Sequence, residues 1–125
     1  MVYIEKSEKS VQEVVDKIQE IISTYKFGVQ HIHNIKQTLN SKGIDFKNEC
    51  QVLDICSPKV AENFLSNDMS LSSIMPCKIS VYEEDGETTV AINSLVQLVD
   101  DINPDMTDIA QEVQKTILKI IEEAI

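Results

Sequence analysis

Arginine is absent from this chain, and glycine and proline are scarce, with three residues of each among 125. The guanidinium of arginine binds phosphate through two parallel hydrogen bonds, so its absence removes the side chain best suited to nucleic acid. Eleven lysines face 21 acidic residues, and the resulting net charge of −10 also disfavours anionic membrane surfaces. A hydrophobic content of 42% with so little glycine and proline excludes the disordered and fibrous classes.

Long apolar runs are also missing, since none approaches the roughly 20 residues that span a bilayer. The segment Met1 to Lys6 alternates in polarity and has none of the zones of a secretion signal, so we expect a cytoplasmic protein. Three cysteines are too few for a secreted disulfide framework, and reduced thiols are expected. At 125 residues and 14.1 kDa the chain fits a single domain that spans residues 1–125.

The amino-terminal part of the chain predicts a strand, a helix and a second strand. Ser10 and Glu13 form a capping box at the start of the helix. Apolar side chains then recur at helical spacing on one face: Val11, Val14, Val15, Ile18, Ile21, Ile22 and Tyr25. Gly28 ends this helix, and the β-branched content of Val29 to Ile35 predicts a strand.

The central part predicts a short helix, a strand and a second major helix. The short helix covers Ile35 to Ser41, and the third strand covers Cys50 to Cys56. Ser57 and Pro58 supply the cap and the first residue of the next helix. The segment 67–75 is polar with a few apolar residues, which predicts a packed loop or a single turn.

The carboxyl-terminal part predicts a β-hairpin followed by a long helix. Two apolar runs, Cys77 to Glu83 and Thr88 to Asn93, flank an Asp-Gly pair that suits a tight turn. Asn103 and Pro104 then begin a helix with one continuous apolar stripe, which must be buried on the sheet or on a partner chain. Together these elements predict an α+β fold, with a mainly antiparallel sheet of about five strands covered on one face by the first and last helices.

Two cysteines beside prolines are the candidate reactive residues. Cys56 ends a strand just before a helix, where free backbone N–H groups and the helix dipole stabilise a thiolate. Cys77 follows Pro76 and shares a strand face with apolar residues, which favours burial over reactivity. The two thiols lie at the same end of the sheet if their strands are antiparallel neighbours, and a strand length apart if the strands are parallel. The alternative for Cys56 is a buried packing role, which is also the simplest interpretation of Cys50.

The two histidines are candidate metal ligands. In a strand, His31 and His33 point to the same side about 7 Å apart along the backbone, a spacing that suits two ligands of one transition metal such as zinc. A third ligand would come from the next strand, where Cys50, Asp54 and Cys56 share a face. The alternative is that both histidines are ordinary surface or hydrogen-bonded residues.

Several short motifs follow one another along nearly the whole chain: Phe27-Gly28-Val29, His31-Ile32-His33-Asn34, Thr38-Leu39, Gly43-Ile44-Asp45-Phe46, Cys56-Ser57-Pro58, Met75-Pro76-Cys77 and Val81-Tyr82-Glu83-Glu84-Asp85-Gly86. In their order and spacing they resemble DUF302, a family of domains of unknown function. The resemblance implies a TATA-binding-protein-like α+β fold and a homodimer. The family pattern falls on Cys56, Pro58, Pro76 and Cys77, and fusions of some relatives to sulfur-handling or redox domains point to thiol or metal chemistry.

These observations lead to two hypotheses about function. The first is a cytosolic homodimeric accessory protein that binds a thiol, a sulfur species or a metal at a site around Cys56, with Cys77, His31 and His33 as candidate neighbours. The second is a non-catalytic small-molecule carrier or interaction module with a cavity between the sheet and the last helix. The sequence contains no nucleophile elbow and no glycine-rich phosphate loop, so hydrolase and nucleotide-enzyme functions lack support. Whether the protein is another kind of enzyme stays open.

Overall fold

A computed structural model describes residues 2–125, which form five strands and five α-helices. The strands are β1 (Val2–Ser7), β2 (Gly28–Asn34), β3 (Cys50–Cys56), β4 (Cys77–Glu84) and β5 (Glu87–Asn93). The helices are α1 (Val11–Ile21), α2 (Ile35–Ser41), α3 (Pro58–Asn67), α4 (Leu95–Ile102) and α5 (Thr107–Ala124). Short 3₁₀ helices at Ile22–Tyr25, Met69–Ile74 and Pro104–Met106 connect some of these elements.

The five strands form one antiparallel sheet in the order β1-β5-β4-β3-β2. Because side chains alternate along each strand, the sheet has an inner face and an outer face. The inner face carries the buried residues Leu53, Ile55, Ile79, Val81, Val90 and Ile92. Helix α1 packs against β3 and β4, and α5 packs against α1 and α4. The predicted α+β class and the antiparallel five-stranded sheet with helices packed on it are therefore confirmed, and this architecture is compatible with the TATA-binding-protein-like type.

Local signals in the sequence account for the best predicted elements. At the start of α1, Ser10 Oγ accepts a hydrogen bond from the Glu13 backbone N–H at 3.1 Å, and the Ser10 N–H donates to Glu13 Oε1 at 3.0 Å. At the β4–β5 turn, Asp85 and Gly86 adopt positive φ angles of 54° and 79°. The predicted capping box and hairpin are both present.

Several regions differ from the prediction. The first helix was predicted to end at Gly28, but α1 ends at Ile21, a 3₁₀ turn follows, and Lys26 is the left-handed residue (φ 63°) that closes it. Gly28 is instead the first residue of β2.

Helix α4 (Leu95–Ile102) was not predicted, although Ser94 caps it by accepting a hydrogen bond from the Gln97 N–H at 3.1 Å. The final helix was predicted to begin at Asn103 and Pro104, but Pro104–Met106 is a separate 3₁₀ turn and α5 starts at Thr107. None of the helices among residues 2–125 has the length and apolar composition needed to cross a membrane.

Candidate functional site

A cavity of about 210 Å³ lies where strands β4 and β5 stop pairing. Their hydrogen-bonded ladder runs from Glu84 opposite Glu87 to Ser80 opposite Ala91. The ends of both strands beyond this ladder line the cavity, together with the 3₁₀ segment before β4 and residues of α4 and α5. The lining residues are Ser73, Ile74, Met75, Pro76, Cys77, Lys78, Ile92, Asn93, Leu95, Leu98, Gln114 and Ile117.

The buried side chain of Gln114 fixes one wall of this cavity. Its Oε1 accepts hydrogen bonds from Ser94 Oγ at 3.3 Å and from the Val96 N–H at 3.2 Å. Its Nε2 donates to the hydroxyl of Tyr3 at 3.0 Å. One amide therefore connects α5, the start of α4 and strand β1, and it holds the wall in place without an unpaired buried polar atom.

A second, smaller cavity of about 20 Å³ brings Cys56 and Cys77 together. Strands β3 and β4 are antiparallel neighbours with Ile55 opposite Cys77, so the two thiols lie at the same end of the sheet. This arrangement resolves the alternatives that the sequence left open. The remaining wall is largely apolar, with Phe27, Phe64, Leu71 and Val99 among its residues, and Pro76 and Cys77 line both cavities.

The environment of the thiols limits their chemistry. Burial raises the pKa of the Cys77 thiol to about 11, and the nearby Cys56 adds a smaller contribution in the same direction. Burial also raises the pKa of Cys50. All three cysteines are free thiols. Cys77 is consequently protonated at neutral pH and is a poor nucleophile there.

Pro58 and Pro76 have different positions relative to this region. Pro58 is the exposed first residue of α3, and its fixed φ angle suits a helix start. Ser57 occupies the N-cap position before it, but its side chain does not make the capping hydrogen bond that the sequence suggested. Pro58 belongs to neither cavity lining, whereas Pro76 belongs to both. The structure thus places Cys56, Pro76 and Cys77 together and leaves Pro58 at the helix surface.

The histidines form a separate cluster on the outer face. The ring centroids of His31 and His33 are 4.3 Å apart in an edge-to-face arrangement. His33 Nε2 lies 2.8 Å from Asp54 Oδ2, and Lys78 Nζ donates to Asp54 Oδ1 at 2.6 Å. The bond from Lys78 is the main reason that the pKa of Asp54 is lowered, with a smaller contribution from His33. Neither histidine is among the lining residues of the two cavities.

Of the residues predicted to supply a third metal ligand, Asp54 lies beside His33 and Cys56 lines the small cavity. The other oxygen of Asp54 binds the ammonium group of Lys78. Within residues 2–125, no group of three or more His, Cys, Asp or Glu side chains could hold a metal ion. A metal site at His31 and His33 therefore stays a prediction.

Several lining residues of the larger cavity were not singled out from the sequence, among them Lys78, Asn93, Leu98 and Gln114. Leu98 had a usable signal, because Leu95, Val99 and Ile102 form an apolar stripe at helical spacing around it. Lys78, Asn93 and Gln114 carry no local signal, since only the end of the β4–β5 ladder and the docking of α5 bring them together.

The strands and helices define an α+β domain with a helix-covered antiparallel sheet. Comparison with known proteins gives its family: residues 3–124 match the model described as "Domain of unknown function DUF302", so the chain belongs to that family and the resemblance is confirmed. A crystal structure of an uncharacterized conserved DUF302 protein from Bacillus stearothermophilus is 25% identical, with a TM-score of 0.94. That alignment covers 99% of this chain and 98% of the other. No curated protein matches.

Proposed function

We propose that this protein is a non-catalytic binding protein that holds a small, mainly apolar molecule in the cavity between the sheet, α4 and α5. The observation that carries the proposal is the 210 Å³ volume at the ends of β4 and β5, with Ile117 and Gln114 of the last helix in its wall. An apolar cavity of roughly 150 Å³ in another protein is large enough to bind benzene. The present cavity therefore has room for a molecule of about ten non-hydrogen atoms.

The composition of the wall supports a ligand site. Most of the lining side chains are apolar, and a few polar groups stand among them, as in the pockets that proteins use for small molecules. The polar groups come from separate elements: Lys78 from β4, Asn93 from β5 and Gln114 from α5. Such a wall binds an apolar body by burial and orients it by hydrogen bonds.

A second candidate function is the binding of a sulfur species, a thiol compound or a soft metal ion by Cys56 and Cys77. The observation that favours it is that both thiols line one cavity at the same end of the sheet. Because the Cys77 thiol is protonated at neutral pH, Cys56 would make the first bond. In the carrier hypothesis, by contrast, the same cysteines only form part of the wall.

Two further proposals accompany the binding function. The first is a homodimer, as the family resemblance implies. The second is a cytoplasmic location, supported by the three free thiols, which suit a reducing compartment.

A cavity-blocking substitution tests the binding proposal. Leu98 lies at the mouth of the cavity and is 36% exposed, so Leu98→Trp places an indole across the opening without enlarging a buried side chain. With octan-1-ol as the probe, we expect the variant to bind about tenfold or more weakly in a calorimetric titration, a loss of about 1.4 kcal/mol or more.

The matched control is Gln97→Trp, the preceding position of the same helix, which is exposed and outside the cavity lining. We expect this variant to bind octan-1-ol like the wild type. Equal affinity of the two tryptophan variants would contradict binding in this cavity.

A further inference from the structure

We propose that His31 and His33 bind a divalent transition-metal ion on the outer face of the sheet, and that Asp54 holds His33 in the tautomer that binds the metal. Neither histidine lines a cavity, so this site goes beyond the proposed function and does not depend on it. The ligand set also differs from the one that the sequence predicted, because Asp54 supports one ligand instead of being a third.

A β-bulge in strand β2 places both histidines on this face. The pairing of β2 with β3 shifts by one residue between Val29 and His31. Before the shift, Val29 lies opposite Ile55 of the inner face, whereas after it His31 lies opposite Asp54. Without the extra residue His31 would lie opposite Leu53, and both histidines would point to the inner face, because a slip of one residue exchanges the two faces of a strand. Bulges occur frequently beside functional sites, where they re-aim a side chain.

The carboxylate of Asp54 fixes the tautomer of His33. Its Oδ1 accepts a hydrogen bond from Lys78 Nζ at 2.6 Å, and its Oδ2 lies 2.8 Å from His33 Nε2. An ionised carboxylate only accepts hydrogen bonds, so Nε2 of His33 carries the hydrogen and donates it. Nδ1 is then the unprotonated nitrogen of a neutral ring, and its lone pair is the one that a metal ion binds.

This arrangement around His33 is the one that metal-binding histidines have in proteins. They almost always donate their other ring N–H to a carboxylate, a backbone carbonyl or water, which orients the ring and makes the binding nitrogen more basic. Asp54 is only 9% exposed and has a partner on each oxygen, so it is a fixed acceptor. Its oxygens are therefore used to orient His33 and to pair with Lys78.

The two rings are close enough to share one ion. The ring centroids of His31 and His33 are 4.3 Å apart, with an angle of 72° between the ring planes. Two imidazoles that each bind an ion at about 2.1 Å, with the two bonds roughly perpendicular, have their centroids about 4.5 Å apart. The observed separation is slightly shorter, and a small rotation of the exposed His31 side chain supplies the difference.

The donor atoms define the class of metal. Imidazole nitrogen suits zinc, nickel and copper(II) ions. Within residues 2–125, no third His, Cys, Asp or Glu side chain joins the pair to complete a ligand group, so water fills the remaining positions. The His33 side chain is 41% exposed, which admits that water. Such a site binds its ion more weakly than a structural site with four protein ligands.

The competing explanation is that the two rings only pack against each other and that His33 only pairs with Asp54. Calorimetric titration with Ni²⁺ at pH 7 separates these explanations, because thiolates prefer softer ions and compete less for nickel. We expect the wild type to bind one Ni²⁺ with a dissociation constant on the order of 10 μM. We expect His31→Ala and His33→Ala each to weaken binding about tenfold or more, since the chain has only these two histidines.

The role of Asp54 has a test of its own. Asp54→Asn no longer fixes the tautomer of His33, so we expect Ni²⁺ binding to weaken about tenfold. Asp45→Asn is the matched control, because it removes one negative charge at an exposed position and should leave the affinity unchanged. Nitrogen-15 NMR of the metal-free wild type reads the tautomer directly and should show His33 with its hydrogen on Nε2.

Cys56→Ser separates this site from the thiols, and we expect it to bind Ni²⁺ like the wild type. Loss of binding in Cys56→Ser, or unchanged binding in either histidine variant, would refute the histidine site. A wild type that does not bind Ni²⁺, or a His33 with its hydrogen on Nδ1, would refute it as well. None of these results affects octan-1-ol binding in the cavity, so the proposed function is tested separately.

Discussion

At the scale of residues, the sequence predicted some neighbours correctly and missed others for a clear reason. Cys56 and Cys77 are close because β3 and β4 pair antiparallel, which the sequence allowed but did not require. Lys78 was missed because strand alternation places it on the face opposite to Cys77, and only the end of the β4–β5 ladder lets both residues line one cavity. A sequence pattern gives the direction of a side chain but not the point at which two strands separate.

The raised pKa of Cys77 leads to a prediction about its reactivity. With a pKa of about 11, its thiolate fraction at pH 7 is about a hundredfold or more below that of an unperturbed cysteine with a pKa near 8.5. In a Cys50→Ser, Cys56→Ser variant, iodoacetamide should therefore modify Cys77 about a hundredfold more slowly than free cysteine at pH 7. Because only the thiolate reacts, we expect the rate to rise steadily as the pH approaches 11.

Mass spectrometry of samples quenched at successive times measures this rate, with urea-unfolded protein as the control. Burial is the main cause of the shift, so unfolding should restore the rate of an ordinary cysteine. A folded protein in which Cys77 reacts as fast as it does in urea would contradict this account of its environment.

At the scale of elements, the sequence pattern predicted the strand Cys50–Cys56 with its observed bounds and the hairpin strands to within one residue. It also predicted the start of α1, but the α-helix ends at Ile21, earlier than expected. Helix α4 was missed because only one residue, Ser94, separates it from β5. No glycine or proline marks the change from the strand pattern to the helix pattern. The segment before β4 was predicted as a packed loop or a single turn, and it contains a 3₁₀ helix at Met69–Ile74 that packs against α3 and α4. Short elements take their form from tertiary contacts that local propensity does not contain.

Strand β1 gives a prediction about the proposed homodimer. It is an edge strand, and its side chains Val2 and Ile4 are 52% and 55% exposed. An unpaired edge can add a second copy of itself across a two-fold axis. We expect light scattering after size exclusion to give a dimer mass for the wild type and a monomer mass for Ile4→Lys, because a lysine at an edge opposes strand pairing.

Ile44→Lys is the matched control, since Ile44 is 52% exposed in the segment after α2 and is equally apolar. We expect this variant to keep the dimer mass. A wild-type monomer, or an equal effect of both lysine substitutions, would argue against a dimer built on β1.

At the scale of the whole molecule, the sequence was sufficient for the fold class and for the family, but not for the site. The antiparallel sheet and its helical cover follow from patterns that local residues carry. The cavity, in contrast, depends on three tertiary features: the end of the β4–β5 ladder, the position of α4 and the bonds that Gln114 makes between α5, α4 and β1. The two hypotheses that the sequence left open meet in one region, because Cys77 lines both cavities.

Native mass spectrometry of freshly expressed protein is the most direct test of the claim that this chain carries a small molecule. The account predicts an added organic mass on the wild type that is lost on unfolding, is absent from Leu98→Trp and is kept by Gln97→Trp. A wild-type mass equal to that of the bare chain, or an added mass that is a metal ion alone, would contradict it.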